Sequence, residues 1–132
     1  RSVKHGDMLA FDIETTGLDK STHAVTVVSL YGSIGQIPVD TVLNFARDGV
    51  EPNRTVLMDH MARAHCLCAF NGARFDIPFL MAALSIPSEV GSSWVLKLCD
   101  PFEVIPCSVA QGTPLIILLT LSPLLLLLFH RR

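Results

Sequence analysis

Several features that would give this 132-residue chain a simple reading are missing. Lys and Arg number 10 against 12 Asp and Glu, a formal net charge of −2. The global charge therefore neither attracts nor repels nucleic acid strongly, and a basic-patch argument has no support. The four cysteines, Cys66, Cys68, Cys99 and Cys107, show no C-x-x-C pair, so a zinc framework is excluded. They read as reduced core thiols, as expected of an intracellular protein. The first residue is Arg1, and no charged-then-apolar leader follows it. The sequence reads as a fragment, with any N-terminal address lying outside it. The length allows one domain with a real core and leaves no room for a second.

What is present divides near residue 103. Residues 7–103 have the pattern of an α/β domain. A strand is predicted over 8–14, a β-rich run over 24–33 (Val25, Val27, Val28, Leu30, Tyr31) and another over 37–45, with the turn supplied by Gly32 to Gly35. These make an antiparallel meander. Val56, Leu57, Met61 and Ala64 recur at helical spacing behind Glu51-Pro52-Asn53, which predicts a helix over 52–64. A short strand over 66–70 follows, then a helix carrying Phe79, Leu80, Ala83 and Leu84 that stops before Pro87, then a strand over 94–99 ending at Asp100-Pro101. Three antiparallel strands followed by alternating helix and strand match a ribonuclease-H-like layout, while periodicity by itself gives a mixed α/β sheet.

The tail over 104–132 is different in kind. Positions 115–129 hold 11 Leu or Ile in 15, and no charge interrupts them. As a helix this core spans about 22 Å, short of the roughly 30 Å of membrane hydrocarbon. Extension back to Val109 gives the length but crosses Gly112 and Pro114, with Pro123 also inside. Two readings stand. One is a membrane anchor over 109–129, flanked by Arg131 and Arg132. The favoured one is that the Leu run is not native coding sequence, but a retained intron, a frameshift or a wrong gene model, because it fits no amphipathic pattern of the preceding domain.

Chemistry concentrates at two places. In Phe11-Asp12-Ile13-Glu14-Thr15-Thr16-Gly17-Leu18, two acids lie two residues apart on an apolar strand, so Asp12 and Glu14 share a face. Like charges so placed repel unless a divalent cation neutralises them, and a metal site is the simplest reading. In Phe70-Asn71-Gly72-Ala73-Arg74-Phe75-Asp76-Ile77-Pro78-Phe79-Leu80, an apolar strand breaks at Asn-Gly and a helix opens around Asp76 to Pro78. Alone, Asp76 reads equally well as an N-cap.

Taken together, the two segments resemble the first and second motifs of the DEDD superfamily of 3′-to-5′ exonucleases. The N-G-x-x-F-D-x-P-x-L form is most similar to the ribonuclease-H-like branch called YprB-type, and is similar also to the exonuclease domains of B-family polymerases. The similarity covers about residues 7–103. It implies a hydrolase that cleaves phosphodiesters with two Mg²⁺ or Mn²⁺ ions, held by Asp12 and Glu14 with Asp76 completing part of the cage. The implied substrate is a single-stranded DNA or RNA 3′ end. Thr15, Thr16, Gly17 and Leu18 would hold its terminal nucleotide, with Asn71, Arg74 and Phe75 lining the same groove.

One part of the family pattern is missing. Members carry a third motif, a catalytic Tyr or His followed by a fourth metal-binding Asp, on a helix beyond the strand read at 94–99. Past Asp100 this chain has one acid, Glu103, and one histidine, His130, with no Asp after it. The resemblance therefore implies a fold incomplete at the C-terminus and leaves three forms open: an exonuclease that still acts, one that is inactive as written, or a non-catalytic nucleic-acid-binding module, with or without a membrane tether. Asp100 is read as a turn or capping residue. Tyr31 is read as a packing or surface residue. His5, His23, His60 and His65 are read as surface or helix-end residues, and Arg47, Arg54 and Arg63 as solvated charges. Arg74 is the best candidate for a phosphate contact because it neighbours Asp76.

Overall fold

A computed structural model describes residues 7–101. Expectations for His5, Glu103, Cys107, His130 and the Leu-rich tail, including the membrane anchor over 109–129, lie outside the described residues. Among those described, no helix is long and apolar enough to cross a membrane.

The organising element is β1 (Leu9–Thr15), whose first five residues are all buried. A strand covered on both faces reads as a continuous apolar run, and Met8 to Phe11 with Ile13 supply it. β1 pairs antiparallel with β2 (Val25–Ile34), which pairs antiparallel with β3 (Ile37–Asn44). The β2–β3 turn lies at Gly35-Gln36, both left-handed with φ of 57° and 69°, at the end of the stretch expected to supply it. On its other edge β1 pairs parallel with the short β4 (Leu67–Cys68), which pairs parallel with β5 (Leu98–Cys99). The five-stranded sheet thus runs β3-β2-β1-β4-β5, the expected mixed α/β layout.

Among the described residues, four α-helices accompany the sheet. α1 (Phe45–Asp48) leads into α2 (Val50–Arg63), and the buried Asn53 side chain ties the junction by donating to the carbonyls of Asn44 and Gly49, both at 2.9 Å. After β4 come a π-helical turn (Gly72–Asp76), α3 (Ile77–Ala83) and α4 (Ser88–Leu96). Leu9, Phe11 and Ile13 join Val28, Leu30, Leu57, Met61, Phe79, Leu80 and Trp94 in one buried cluster.

Two expectations need correction. The strand read over 94–99 is mostly helix: α4 runs to Leu96 and only Leu98 and Cys99 pair. Pro87, with ψ of 145°, starts α4, and Val90 and Trp94 recur four residues apart on its inner side, Trp94 being 1% exposed. The helical period wins over the apolar run Val95-Leu96, both of which are exposed. Arg54 is not a solvated charge. It is half-buried, and its Nε and an Nη donate to the carbonyls of Leu84 (2.7 Å) and Ser85 (3.1 Å). It thereby satisfies carbonyls just beyond the end of α3, where a positive charge also suits the helix dipole.

The expected core cysteines Cys66, Cys68 and Cys99 are buried. The sulfurs of Cys66 and Cys99 lie 3.2 Å apart across the β4–β5 pair.

Two substitutions test this account. Gly32 adopts φ of 139°, and a Cβ there would run into the backbone carbonyl of Met8. Because that carbonyl also accepts the Ser33 N–H at 3.0 Å, it cannot retreat cheaply, and Gly32→Ala is expected to cost about 3 kcal/mol in urea unfolding. Arg54→Met, which keeps the stem and removes the donors, is expected to cost about 1–2 kcal/mol by the same measurement.

Candidate acidic centre at the strand ends

The strand register sets the geometry of the site. The last parallel pairs are Ala10↔Cys68 and Cys68↔Cys99. Beyond that level β1 continues alone on this edge, β4 turns off at Asn71, and β5 gives way to Asp100. Asp12, Asn71 and Asp100 all lie within three residues of the point where parallel pairing stops. In open sheets with parallel strands, ligands bind in the crevice outside the carboxyl ends of those strands.

Asp12 sits opposite Ser29 in the β1–β2 ladder and Glu14 opposite Val27, so strand alternation puts both on the face away from Phe11 and Ile13. Asp12 is 6% exposed, and Glu14 is half-buried. The ladder shifts register between Glu14 and Thr15, where Thr15 opposes Val25. Such a bulge re-aims the strand end. Thr26 Oγ1 donates to the Glu14 carbonyl at 3.1 Å and fixes the backbone on the inner side of that shift.

The loop after β1 is closed by its own side chains. Thr15 Oγ1 donates to the Gly17 carbonyl at 2.6 Å, and Thr16 and Ala24 exchange two bonds, Thr16 N–H to the Ala24 carbonyl and Ala24 N–H to Thr16 Oγ1, both 3.0 Å. Asp19 caps the tip: its Oδ1 accepts from the Ser21 amide (2.9 Å) and hydroxyl (2.6 Å), and these bonds hold its carboxyl below the usual range. The His23 ring, with Nδ1 3.1 Å from the Asp19 carbonyl, occupies the space where a Cβ on Gly17 would stand. His23 is therefore half-buried loop structure rather than a surface residue, and Gly17 is required by the close approach of the ring. Leu18 is 84% exposed at the same loop.

The second segment is built on a left-handed residue. Asn71 has φ of 54° and ψ of 28°, a conformation Asn tolerates better than most residues. Its carbonyl accepts from Arg74 (3.2 Å) and Phe75 (2.9 Å), and the Gly72 carbonyl accepts the Ile77 N–H across the π turn. π-helical turns occur frequently at functional sites. Asp76 closes the turn with helical dihedrals, makes no side-chain cap, and is 1% exposed, so capping does not account for it. Phe75 is half-buried against Phe79, with ring centroids 5.5 Å apart. Arg74 is exposed. Arg47 and Arg63 are engaged on exposed surfaces by Asp48 (2.8 Å) and Asp59 (3.0 Å).

The structure thus places Asp12, Glu14 and Thr15 to Leu18 on and after β1, and Asn71 to Asp76 after the neighbouring β4. Carboxylate oxygens are the donors a hard divalent cation prefers. Among the described residues no three His, Cys, Asp or Glu side chains gather closely enough to hold one metal ion. That does not conflict with Mg²⁺, which keeps several waters and is commonly bound by one or two carboxylates together with substrate phosphates. The donor set fits a hard divalent cation in kind.

The reading of Asp100 as a turn or capping residue leaves out how far it reaches. Asp100, 8% exposed, accepts the Asn71 N–H on Oδ1 at 2.9 Å. It reaches 29 residues back along the chain, far beyond its own turn.

Comparison with known proteins agrees with this fold. No curated protein matches. Among the solved structures that match is the family B DNA polymerase from the hyperthermophilic archaeon Pyrobaculum calidifontis, with a TM-score of 0.50 and 21% identity over 63% of this chain. The match takes in only 12% of the polymerase, and at that identity it speaks to the fold. A sequence profile described as the RNase H superfamily matches residues 9–113. Five strands in mixed order, carboxylates at the ends of the parallel ones and a profile spanning most of the sequence agree, and the chain belongs to the RNase H superfamily.

Proposed function

We propose that this domain is a metal-dependent 3′-to-5′ exonuclease unit that hydrolyses phosphodiester bonds at the 3′ end of single-stranded DNA or RNA. Membership of the RNase H superfamily gives a nuclease-type fold acting on nucleic acid. The observation that carries the finer reading is the burial of Asp12 and Asp76, at 6% and 1% exposure, on segments leading from adjacent parallel strands. Carboxylates are expensive to remove from water, and proteins that bury them do so with compensation or for chemistry.

In this reading Asp12, Glu14 and Asp76 would hold Mg²⁺ or Mn²⁺. The bound ions would supply an activated water and neutralise charge on the leaving 3′ oxygen. The chain's own residues do the rest. The loop closed by Thr15 and Thr16 offers its backbone to the terminal nucleotide, the exposed Leu18 provides an apolar surface for a base, and Arg74 stands where a phosphate contact is useful. Asn71 and Phe75 line the opposite side.

A second reading, a non-catalytic nucleic-acid-binding domain of the same fold, is favoured by one finding: the described residues alone do not assemble a three-ligand metal group.

Cleavage of 3′-end-labelled single strands by the full chain in Mg²⁺ or Mn²⁺ separates the two. Asp12→Asn and Asp76→Asn are each expected to lower the rate about a thousandfold, since bound metal contributes several kcal/mol in the transition state. Equal rates in the parent and Asp12→Asn would remove the proposal, and strand binding by a folded chain without cleavage would establish the second reading. Gly17→Ala, which forces the His23 ring out of place, is expected to raise KM for the strand about tenfold, with kcat less affected. An unchanged KM would place the 3′ end elsewhere.

A further inference from the structure

The carboxylate of Asp100 has no place in the proposed chemistry, yet it is buried at the point where the second segment begins. It directly follows β5, and the bond from Asn71 N–H to its Oδ1, 2.9 Å long, crosses from the end of β5 to the end of β4. The main chains of the two strands are joined two residues before Asn71 and one before Asp100, where Ala69 N–H donates to the Cys99 carbonyl at 3.4 Å. Asp100 therefore extends the β4–β5 pairing past the last ladder bond, using a side chain where the backbone has begun to diverge.

The residue it grips is the one that sets the direction of everything downstream. Asn71 must hold a left-handed conformation, which is disfavoured for a residue with a Cβ. Only with Asn71 so placed can its carbonyl receive the amides of Arg74 and Phe75, and only then does the π turn deliver Asp76 to the start of α3. A side-chain oxygen 2.9 Å from the Asn71 N–H supplies a hydrogen bond that helps to hold such a residue.

We propose that Asp100 is a positioning residue for the acidic centre: its Oδ1, by holding the Asn71 N–H, fixes the left-handed turn that places the Asp76 carboxylate. Its function is to accept a hydrogen bond at one point in space. Its negative charge is not required. The kinetic consequence rests on the exonuclease reading, whereas the structural consequence does not.

Two variants of the full chain separate the acceptor from the charge. Asp100→Asn keeps an oxygen at the Oδ1 position and removes the charge; Asp100→Glu keeps the charge and displaces the oxygen by a methylene. Backbone amide exchange over residues 71–77 reports the turn. Manganese-induced broadening of the Asp12 and Asp76 amide resonances reports the centre, and nucleotide release from a 3′-labelled strand reports activity. In Asp100→Asn all three are expected to stay close to the parent. In Asp100→Glu, exchange over 71–77 and the half-saturating Mn²⁺ concentration are each expected to rise about tenfold, the loss of one hydrogen bond, while the β1–β2 amides keep their protection.

An Asn variant as impaired as the Glu variant would overturn the proposal, because the charge itself would then matter. So would a Glu variant indistinguishable from the parent. If the parent releases no nucleotide but amide exchange still separates the two variants, the exonuclease reading fails and the positioning role of Asp100 stands.

Discussion

The acidic centre depends on β1 having a neighbour on each edge. The antiparallel partner β2 pairs with β1 along its length and the parallel partner β4 pairs with Leu9 and Ala10, and the first five residues of β1 are buried. A strand so enclosed can carry an ionisable side chain at a fixed height in apolar surroundings, where its interactions with charge are stronger than in water. The parallel pairing is short, two residues on each strand, and its shortness matters. It ends before Asp12, so β1 projects past β4 on that edge while β2 still pairs with it to Thr15. The superfamily fold and the opening at the strand ends therefore have one cause.

The second segment solves a related problem. A helix must start close to the end of β4 with an acid at its first turn, and an ordinary strand-to-helix connection would leave that acid to cap the helix. The left-handed Asn71 and the π turn delay the start of regular helix by one widened turn, and Asp76 enters it with helical dihedrals and no capping bond. Its carboxylate is thereby kept from the common structural role of an acid at a helix start.

Much of this was legible in the sequence, for identifiable reasons. The three-stranded meander followed from alternation and the Gly-rich turn, and the placement of Asp12 and Glu14 followed from the period of a strand. Asp76 was found because Asn-Gly and Pro78 bracket a strand-to-helix turn. The misread segment, 94–99, failed because a short apolar run suits a strand or a buried helix equally, and the spacing of Val90 and Trp94 decided it in favour of α4. Arg54, His23 and Asp100 were misassigned for one shared reason. Each acts through a bond or contact distant in sequence or dependent on the shape of a loop: Arg54 on carbonyls 30 and 31 residues away, His23 on Gly17, Asp100 on an amide 29 residues away. Periodicity carries no information about such contacts. A clue existed for His23, since a glycine and a histidine share one short loop, but nothing local distinguishes Asp100 from a turn residue.

The central claim is that the carboxylates at the ends of β1 and of the π turn form one metal-binding centre at which a 3′ end is held. A crystal of the full chain grown with Mn²⁺ and a 3′-terminal mononucleotide, with anomalous data collected at the manganese edge, tests it most directly. The account predicts an anomalous peak bonded to Asp12 and Asp76, with the nucleotide against the 15–18 loop. Manganese bound elsewhere with the Asp12–Asp76 region empty, or a nucleotide seated away from that loop, would contradict it.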